Sequence, residues 1–293
     1  MKLKETPLVV IIGSTASGKS ELAVKLAQHF KGEIICADSV TVYKGFDIGT
    51  AKPIPSVRQL VPHHLLDVVD PAVSFNVAEF QRLTSETIRD VNLRRKLPFL
   101  VGGSGLYVDS VLFGYEFLKP VSVRKRERLN KMDLSELLLE AQRLGLDVES
   151  IDARNGRRVS RLIETSGSQP SKRPPRYKTL QIGLRLSAES LEVRINNRVE
   201  SMIEDGLIGE VQGLASRYGW GVEPMKSVGY REWRAYFERT KTLAEVHAEI
   251  VLDTKKLAKK QRTWFKRNKS IHWLTTEDKF KESVDLITTL LNN

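Results

Sequence analysis

Short apolar runs, each closed by glycine or a polar residue, alternate along the first half of this chain with longer segments of amphipathic spacing. Leu8-Val9-Val10-Ile11-Ile12, Glu33-Ile34-Ile35-Cys36-Ala37 and Leu97-Pro98-Phe99-Leu100-Val101 read as buried strands, and Thr179 to Leu186 as a fourth. Between them, Glu21 to Ala27 places Leu22, Ala23 and Leu26 at helical spacing, and the charged stretch Arg82 to Arg95 reads as another helix. Strands alternating with helices predict an α/β fold, a parallel sheet flanked by helices on both faces. Ligands in such sheets lie beyond the carboxyl ends of the strands. From about Lys119 to Arg176 the pattern changes to charged helices without β-branched runs, such as Leu134 to Leu139 and Val159 to Glu164. This segment is expected to be a helical insertion, ending in a polar, mobile loop over 166–176. The last third predicts helices, one running from Leu191 to Ile208 with Arg194, Arg198 and Met202 four residues apart. The expected organisation is a catalytic core over 1–118, the insertion over 119–176, and the rest of the core with a helical C-terminal region over 177–293.

The turn after the first strand carries the most specific chemistry. Gly13-Ser14-Thr15-Ala16-Ser17-Gly18-Lys19-Ser20 fits G-x-x-x-x-G-K-[ST], a P-loop whose backbone N–H groups cradle a diphosphate. The helix that follows adds free donors and partial positive charge where phosphate would sit. Whether the ligand is a nucleotide is a separate question. P-loop nucleotide hydrolases carry a strand-end Asp near Mg²⁺, but here the third strand ends in Gly102-Gly103-Ser104, and no Asn-Lys-x-Asp occurs. Asp38 is the one acid at a strand end near the loop. The cradle therefore suits a diphosphate that departs. Lys19, the loop N–H groups and Mg²⁺ held by Ser20 would neutralise the charge growing on a leaving group at an allylic carbon. Asp38 would take the proton of an attacking exocyclic amine. The plainer role for Asp38 is a helix cap or a water-mediated metal contact.

Composition narrows the setting. Of 293 residues, 41% are hydrophobic and 28% charged, an ordinary balance for a globular protein. No run of eighteen apolar residues could span a membrane, and the few residues before the first strand leave no room for a signal peptide. Cys36 is the single cysteine, so no internal disulfide forms and a cytoplasmic location is expected. The five histidines lack zinc-ligand spacing. The adjacent His63 and His64 suit a structural or substrate-side role. The net charge of +11 is uneven: residues 1–110 carry 13 Lys and Arg against 11 Asp and Glu, and 111–293 carry 34 against 25. A polyanionic partner gripped by the second part of the chain is the reading this favours. Residues 255–269 hold eight basic residues and no acid, with Trp264 and Phe265 among them. That mixture suits phosphate contact with base stacking, and equally a solvated helix face with two aromatics turned inward.

The chain resembles the tRNA dimethylallyltransferases (tRNA isopentenyltransferases) of bacterial type. The resemblance rests on Gly13–Ser20, Asp38-Ser39, Tyr43 to Pro53 with its Asp-Ile-Gly-Thr-Ala-Lys-Pro, Val61 to Asp67 and Leu100 to Tyr107. It continues through Arg194-Ile195 with Arg198, Gly206-Leu207, Val228-Gly229-Tyr230-Arg231 and Ala258 to Trp264, in the family's order. It implies transfer of a dimethylallyl group from dimethylallyl diphosphate to N6 of adenosine 37, 3′ to the anticodon, with Mg²⁺. It also implies a P-loop domain whose insertion clasps the anticodon stem-loop, with the target base flipped out. Carried over, Asp38 is the general base and Ser104, where the family has Thr, a hydroxyl beside the reacting centre. Lys19, Ser20 and Arg194 would bind diphosphate with Gly13, Ser14, Thr15, Ala16, Ser17 and Gly18. Asp38, Ser39, Val40, Thr41, Ser104, Arg124, Arg157, Arg158 and Arg161, with Lys259, Lys260 and Arg262, would meet tRNA. A monomer without membrane attachment is expected. Departures are Thr41, where the family often has Gln or an apolar residue, Arg157 in place of Gln, and Glu232 in place of the Gln after Gly-Tyr-Arg. Prenyl transfer to free AMP, ADP or ATP, a small-metabolite kinase and a non-catalytic RNA-binding protein are the competing readings.

Overall fold

The computed structural model describes residues 6–117, 122–168, 171, 173–274 and 277–292. Strands β1 (Pro7–Gly13), β2 (Glu33–Ala37), β3 (His63–His64), β4 (Pro98–Gly102), β5 (Lys178–Leu184) and β6 (Ile271–Trp273) form one sheet in the order β3-β2-β4-β1-β5-β6. Every pairing is parallel. The four expected strands are present. The two missed, β3 and β6, are two and three residues long and too short to show a period.

β1 explains why an unbroken apolar run is needed at the sheet centre. Leu8 to Ile12 are all fully buried, because both faces of the strand are covered. Val9 and Ile11 pack with Leu22, Ala23 and Leu26 of α1 (Lys19–His29). Leu8, Val10 and Ile12 face the opposite layer, formed in part by α3 (Val77–Leu93) and α4 (Gly105–Leu112). The short α2 (Pro55–Leu60) precedes β3 and buries no side chain.

Gly114–Pro174 form a compact unit of their own, and Met1–Phe113 with Pro175–Asn293 form the other. In the smaller unit α5 (Val123–Lys131), α6 (Leu134–Arg143) and α7 (Gly156–Glu164) enclose Leu129, Leu137, Ala141, Val159 and Ile163. Asp133 and Glu136 start α6 with a reciprocal capping box. The loop expected over 166–176 is described in part. Ser171 pairs with Glu116 as an isolated antiparallel bridge, and Arg173 forms an ion pair with the same Glu116. Gln169, Pro170 and Lys172 of that stretch lie outside the described residues.

The larger unit continues through α8 (Ala188–Glu204), α9 (Leu207–Tyr218), α10 (Trp233–Phe237), α11 (Leu243–Phe265) and α12 (Lys279–Asn292). α12 packs beside α1 on the sheet face of Val9 and Ile11, whereas α11 ends on the other face with Phe265 in the core. The single helix expected from Leu191 to Ile208 is two helices. Gly206 has φ +101°, the left-handed region, and it ends α8 and starts α9. α8 to α11 share a core with Tyr43 and Phe46, which brings the segment after β2 against the C-terminal helices.

Candidate active site

Three strands end level. Ile12 of β1 lies opposite Gly102 of β4, and Gly102 opposite Ala37 of β2, so the loops that follow emerge side by side. The first is the phosphate loop. Its chain turns back through Ser17 N–H to Ser14 carbonyl (3.2 Å), and Lys19 Nζ donates to the Ser14 carbonyl (3.3 Å). No side chain caps α1, so its first N–H groups stay available to a ligand. α11 steadies the loop from above: Gln261 Oε1 accepts from the Thr15 N–H at 2.8 Å. The sequence reading missed Gln261, which was overshadowed by the basic residues around it.

The second loop carries Asp38. Its Oδ1 accepts from the Val40 N–H (2.9 Å) and, more weakly, from the Thr41 N–H (3.4 Å). One oxygen thus organises the turn, which keeps the plainer capping role in part. Oδ2 has no hydrogen-bond partner among the described residues. The third loop begins at Ser104, the residue before α4, whose hydroxyl makes no capping bond and lines a cavity.

Two cavities meet at these loops. One, of about 480 Å³, holds Lys19, Ser20 and Thr41 among apolar residues that include Val24, Ile34 and Val101. The other, of about 380 Å³, is lined by Ser39, Val40, Ser104 and, from α11, Lys260 and Gln261. Thr15, Asp38, Thr50 and Arg198 line both, so they form the wall the cavities share.

The electrostatics suit an anion. Burial, with the neighbouring Arg198 cation, lowers the Lys19 ammonium to about 8, and Asp38 opposes the shift. Burial lowers Arg198 as well, again with Asp38 opposing. Two cations therefore face one carboxylate in a partly dry space. The Ser17 and Thr41 hydroxyls are buried without a partner, as expected where a ligand completes the hydrogen bonding. The donor set also fits Mg²⁺: Ser20 and Asp38 supply hard oxygens to the larger cavity, and Mg²⁺ commonly takes a few protein oxygens together with phosphate. Among the described residues no group of three His, Cys, Asp or Glu could hold a metal ion unaided.

The arginines of α8 divide. Arg198 reaches the shared wall and donates from Nη2 to the Thr50 carbonyl at 3.2 Å. Arg194 is exposed on the other side of the loop, its Nη1 3.4 Å from where a Cβ on Gly18 would stand. Arg198 belongs with the site residues, and its four-residue spacing from Arg194 was the available signal. Lys259, Lys260 and Arg262 are exposed on α11. The stacking role considered for Phe265 does not hold. Phe265 is in the core, and Trp264 is half-buried, with its indole N–H donating to Asp109 Oδ2 at 3.0 Å.

Arg124, Arg157, Arg158 and Arg161 are exposed on the smaller unit. Val159, Leu162 and Ile163 bury the other face of α7, and Arg161 pairs with Glu164 at 2.8 Å. Glu232 is buried and accepts from the Gly229 N–H at 2.9 Å, so it acts inside the protein. His64 proves structural, its Nε2 meeting Glu33 Oε2 at 2.7 Å, whereas His63, whose Nδ1 meets the Val61 carbonyl at 2.7 Å, also lines the larger cavity and keeps the substrate-side reading. Among the described residues no helix is long and apolar enough to cross a membrane.

Comparison with known proteins agrees with this geometry. The IPP transferase family matches residues 41–268, and the isopentenyl transferase family residues 6–66. The chain is 42% identical over 275 residues to a tRNA dimethylallyltransferase of Roseiflexus sp. (strain RS-1), covering 89% of this chain and 90% of that protein. It is 39% identical over 282 residues to one from Anoxybacillus flavithermus, covering 92% and 91%. A crystal structure of a tRNA isopentenylpyrophosphate transferase from Bacillus halodurans superposes with a TM-score of 0.77 at 34% identity, covering 98% of this chain and 97% of the other.

Proposed function

This chain belongs to the tRNA dimethylallyltransferase (IPP transferase) family, and from that premise we propose how its own residues carry out the reaction. The protein is a prenyltransferase that moves a dimethylallyl group to N6 of adenosine 37 in tRNA, giving N6-isopentenyladenosine. Dimethylallyl diphosphate is the donor. Its diphosphate lies in the phosphate loop, from Gly13 to Ser20, and its prenyl group in the larger, apolar-lined cavity. The target adenine enters the smaller cavity. The observation that carries this reading is the shared wall of Thr15, Asp38, Thr50 and Arg198, where donor and acceptor would meet.

N6 attacks C1 of the prenyl group as the C1–O bond breaks, and the diphosphate departs with the bonding pair. The proton leaves N6 for Asp38, whose Oδ2 is the oxygen not used in the turn. Negative charge growing on the diphosphate is met by Lys19, Arg198 and the loop N–H groups, with Arg194 alongside Gly18. Ser104 presents its hydroxyl to the reacting centre. Mg²⁺ held by Ser20 would supply further neutralisation of the diphosphate charge.

Lys259, Lys260 and Arg262 on α11, and Arg124, Arg157, Arg158 and Arg161 on the smaller unit, are proposed to meet tRNA phosphates, with Ser39 and Val40 near the target base; Thr41, expected there from the sequence, lines the larger cavity on the donor side instead.

The test is incubation with dimethylallyl diphosphate, Mg²⁺ and either unmodified tRNA or AMP, ADP and ATP, followed by nucleoside mass spectrometry. A five-carbon addition to adenosine in tRNA alone is the expected result. Addition to free nucleotide would move the assignment to cytokinin synthesis. No addition to either would overturn it.

A further inference from the structure

One carboxylate outside the lining of both cavities holds four donors. Glu210 of α9 accepts at Oε2 from the Asp47 N–H (3.1 Å) and the Ile48 N–H (2.7 Å). Its Oε1 accepts from the Gly49 N–H (3.1 Å) and the Tyr230 hydroxyl (2.7 Å). Three consecutive backbone N–H groups thus converge on one charge, and such charge-assisted bonds are the stronger kind. The fully buried Tyr230 ring packs beside this segment. A Cβ on Gly49 would lie 2.5 Å from Tyr230 Cζ, so only glycine fits between ring and carboxylate.

The next residue leads to the site. Thr50 lines both cavities, its hydroxyl donates to the Phe46 carbonyl at 2.6 Å, and its carbonyl accepts from Arg198 Nη2. A guanidinium on a flexible stem is otherwise costly to hold in one pose. The apolar cluster around Phe46, Tyr230 and Trp233 packs this region, and Glu210 satisfies the backbone donors that the cluster cannot.

We propose that Glu210 is a positioning residue for Arg198: by fixing residues 47–49 it sets the Thr50 carbonyl that anchors the guanidinium, and so tunes affinity for the leaving diphosphate without touching it. This rests on the cavity being the prenyl-diphosphate site.

The experiment is a double-mutant cycle on the full chain with Glu210→Gln, Arg198→Ala and the pair, read as equilibrium binding of inorganic diphosphate, with KM values and melting temperatures in parallel. Gln keeps one acceptor oxygen and turns an N–H toward backbone donors. Glu210→Gln alone is expected to weaken diphosphate binding about tenfold and raise the prenyl-donor KM to match, with KM for tRNA unchanged. In the Arg198→Ala background it should cost less than about twofold more. An additive tenfold loss in that background, or a loss seen only in melting temperature, overturns the proposal. Should Glu210→Gln not fold, Tyr230→Phe removes one donor to the same acid and should give a smaller loss that also vanishes without Arg198; an additive loss there likewise overturns it. A wild type that prenylates nothing but shows the non-additive cycle would overturn the functional reading while supporting the positioning of Arg198.

Discussion

Lys19 with Arg198, and Lys259, Lys260 and Arg262 on α11, are two concentrations of positive charge with opposite physics. The first pair sits in a cavity, where burial and mutual repulsion lower the Lys19 ammonium to about 8. The α11 cations stand in solvent, where their charge costs little and is screened within about 10 Å at 0.1 M salt. Buried cations that repel each other are complete only when an anion arrives, so they act at short range and select diphosphate. Solvated cations attract any polyanion from a distance, so they recruit tRNA without reading its sequence.

The sharpest way to break this contrast is Lys19→Met. It is expected to lower kcat/KM for the prenyl donor by about a hundredfold or more, since it removes charge aimed at the leaving group. tRNA affinity, measured by filter binding, should stay within about twofold. A next test uses pH. Lys19 must be charged to bind diphosphate, and in the empty protein it loses its proton above about 8. Below that pH the titration of Lys19 should therefore add no pH dependence to donor affinity. Above it, affinity should fall about tenfold per pH unit until the raised value of the complex is reached. Calorimetry in two buffers of different ionisation enthalpy should show proton uptake on binding near pH 9. Lys19→Met should abolish it.

The α11 face predicts a smaller effect of a different kind. Replacing Lys259, Lys260 and Arg262 with Ala should weaken tRNA binding about tenfold at low salt and flatten the slope of log K against log salt by about 0.7 per lost contact, with donor KM unchanged. An unchanged slope would return these residues to a merely solvated face. The smallest effect belongs to Thr41. Thr41→Val removes a buried hydroxyl that lacks a partner. It is expected to raise stability by about 1 kcal/mol or leave it unchanged, while donor affinity falls severalfold as the hydroxyl meets the ligand. Loss of stability by thermal melting would show the hydroxyl to be satisfied inside the protein.

The phosphate-loop end of the sheet was largely legible in the sequence because β1, β2 and β4 are long apolar runs and each loop after them carries its own punctuation. β3 and β6 were not, since two histidines or three residues give no period. The α8–α9 break was missed because Asp205-Gly206 falls in a stretch whose apolar spacing continues past it. The site roles of Gln261 and Glu210, and the choice of Arg198 over Arg194 for the shared wall, were hidden for a common reason. Each serves the site from a helix far along the chain, and only tertiary packing shows which face of that helix is turned inward. For Phe265 the sequence offered two orientations, and burial in the core decided between them.

The most direct test of the central claim is single-turnover prenyl transfer to tRNA by Asp38→Asn, with tRNA and diphosphate binding measured on the same protein. Asn keeps an oxygen for the Val40 and Thr41 N–H groups but cannot take the N6 proton. The expected result is a rate lower by about a thousandfold with both affinities within about threefold of wild type. Transfer at a near wild-type rate would contradict the account, because the shared wall would then hold no base.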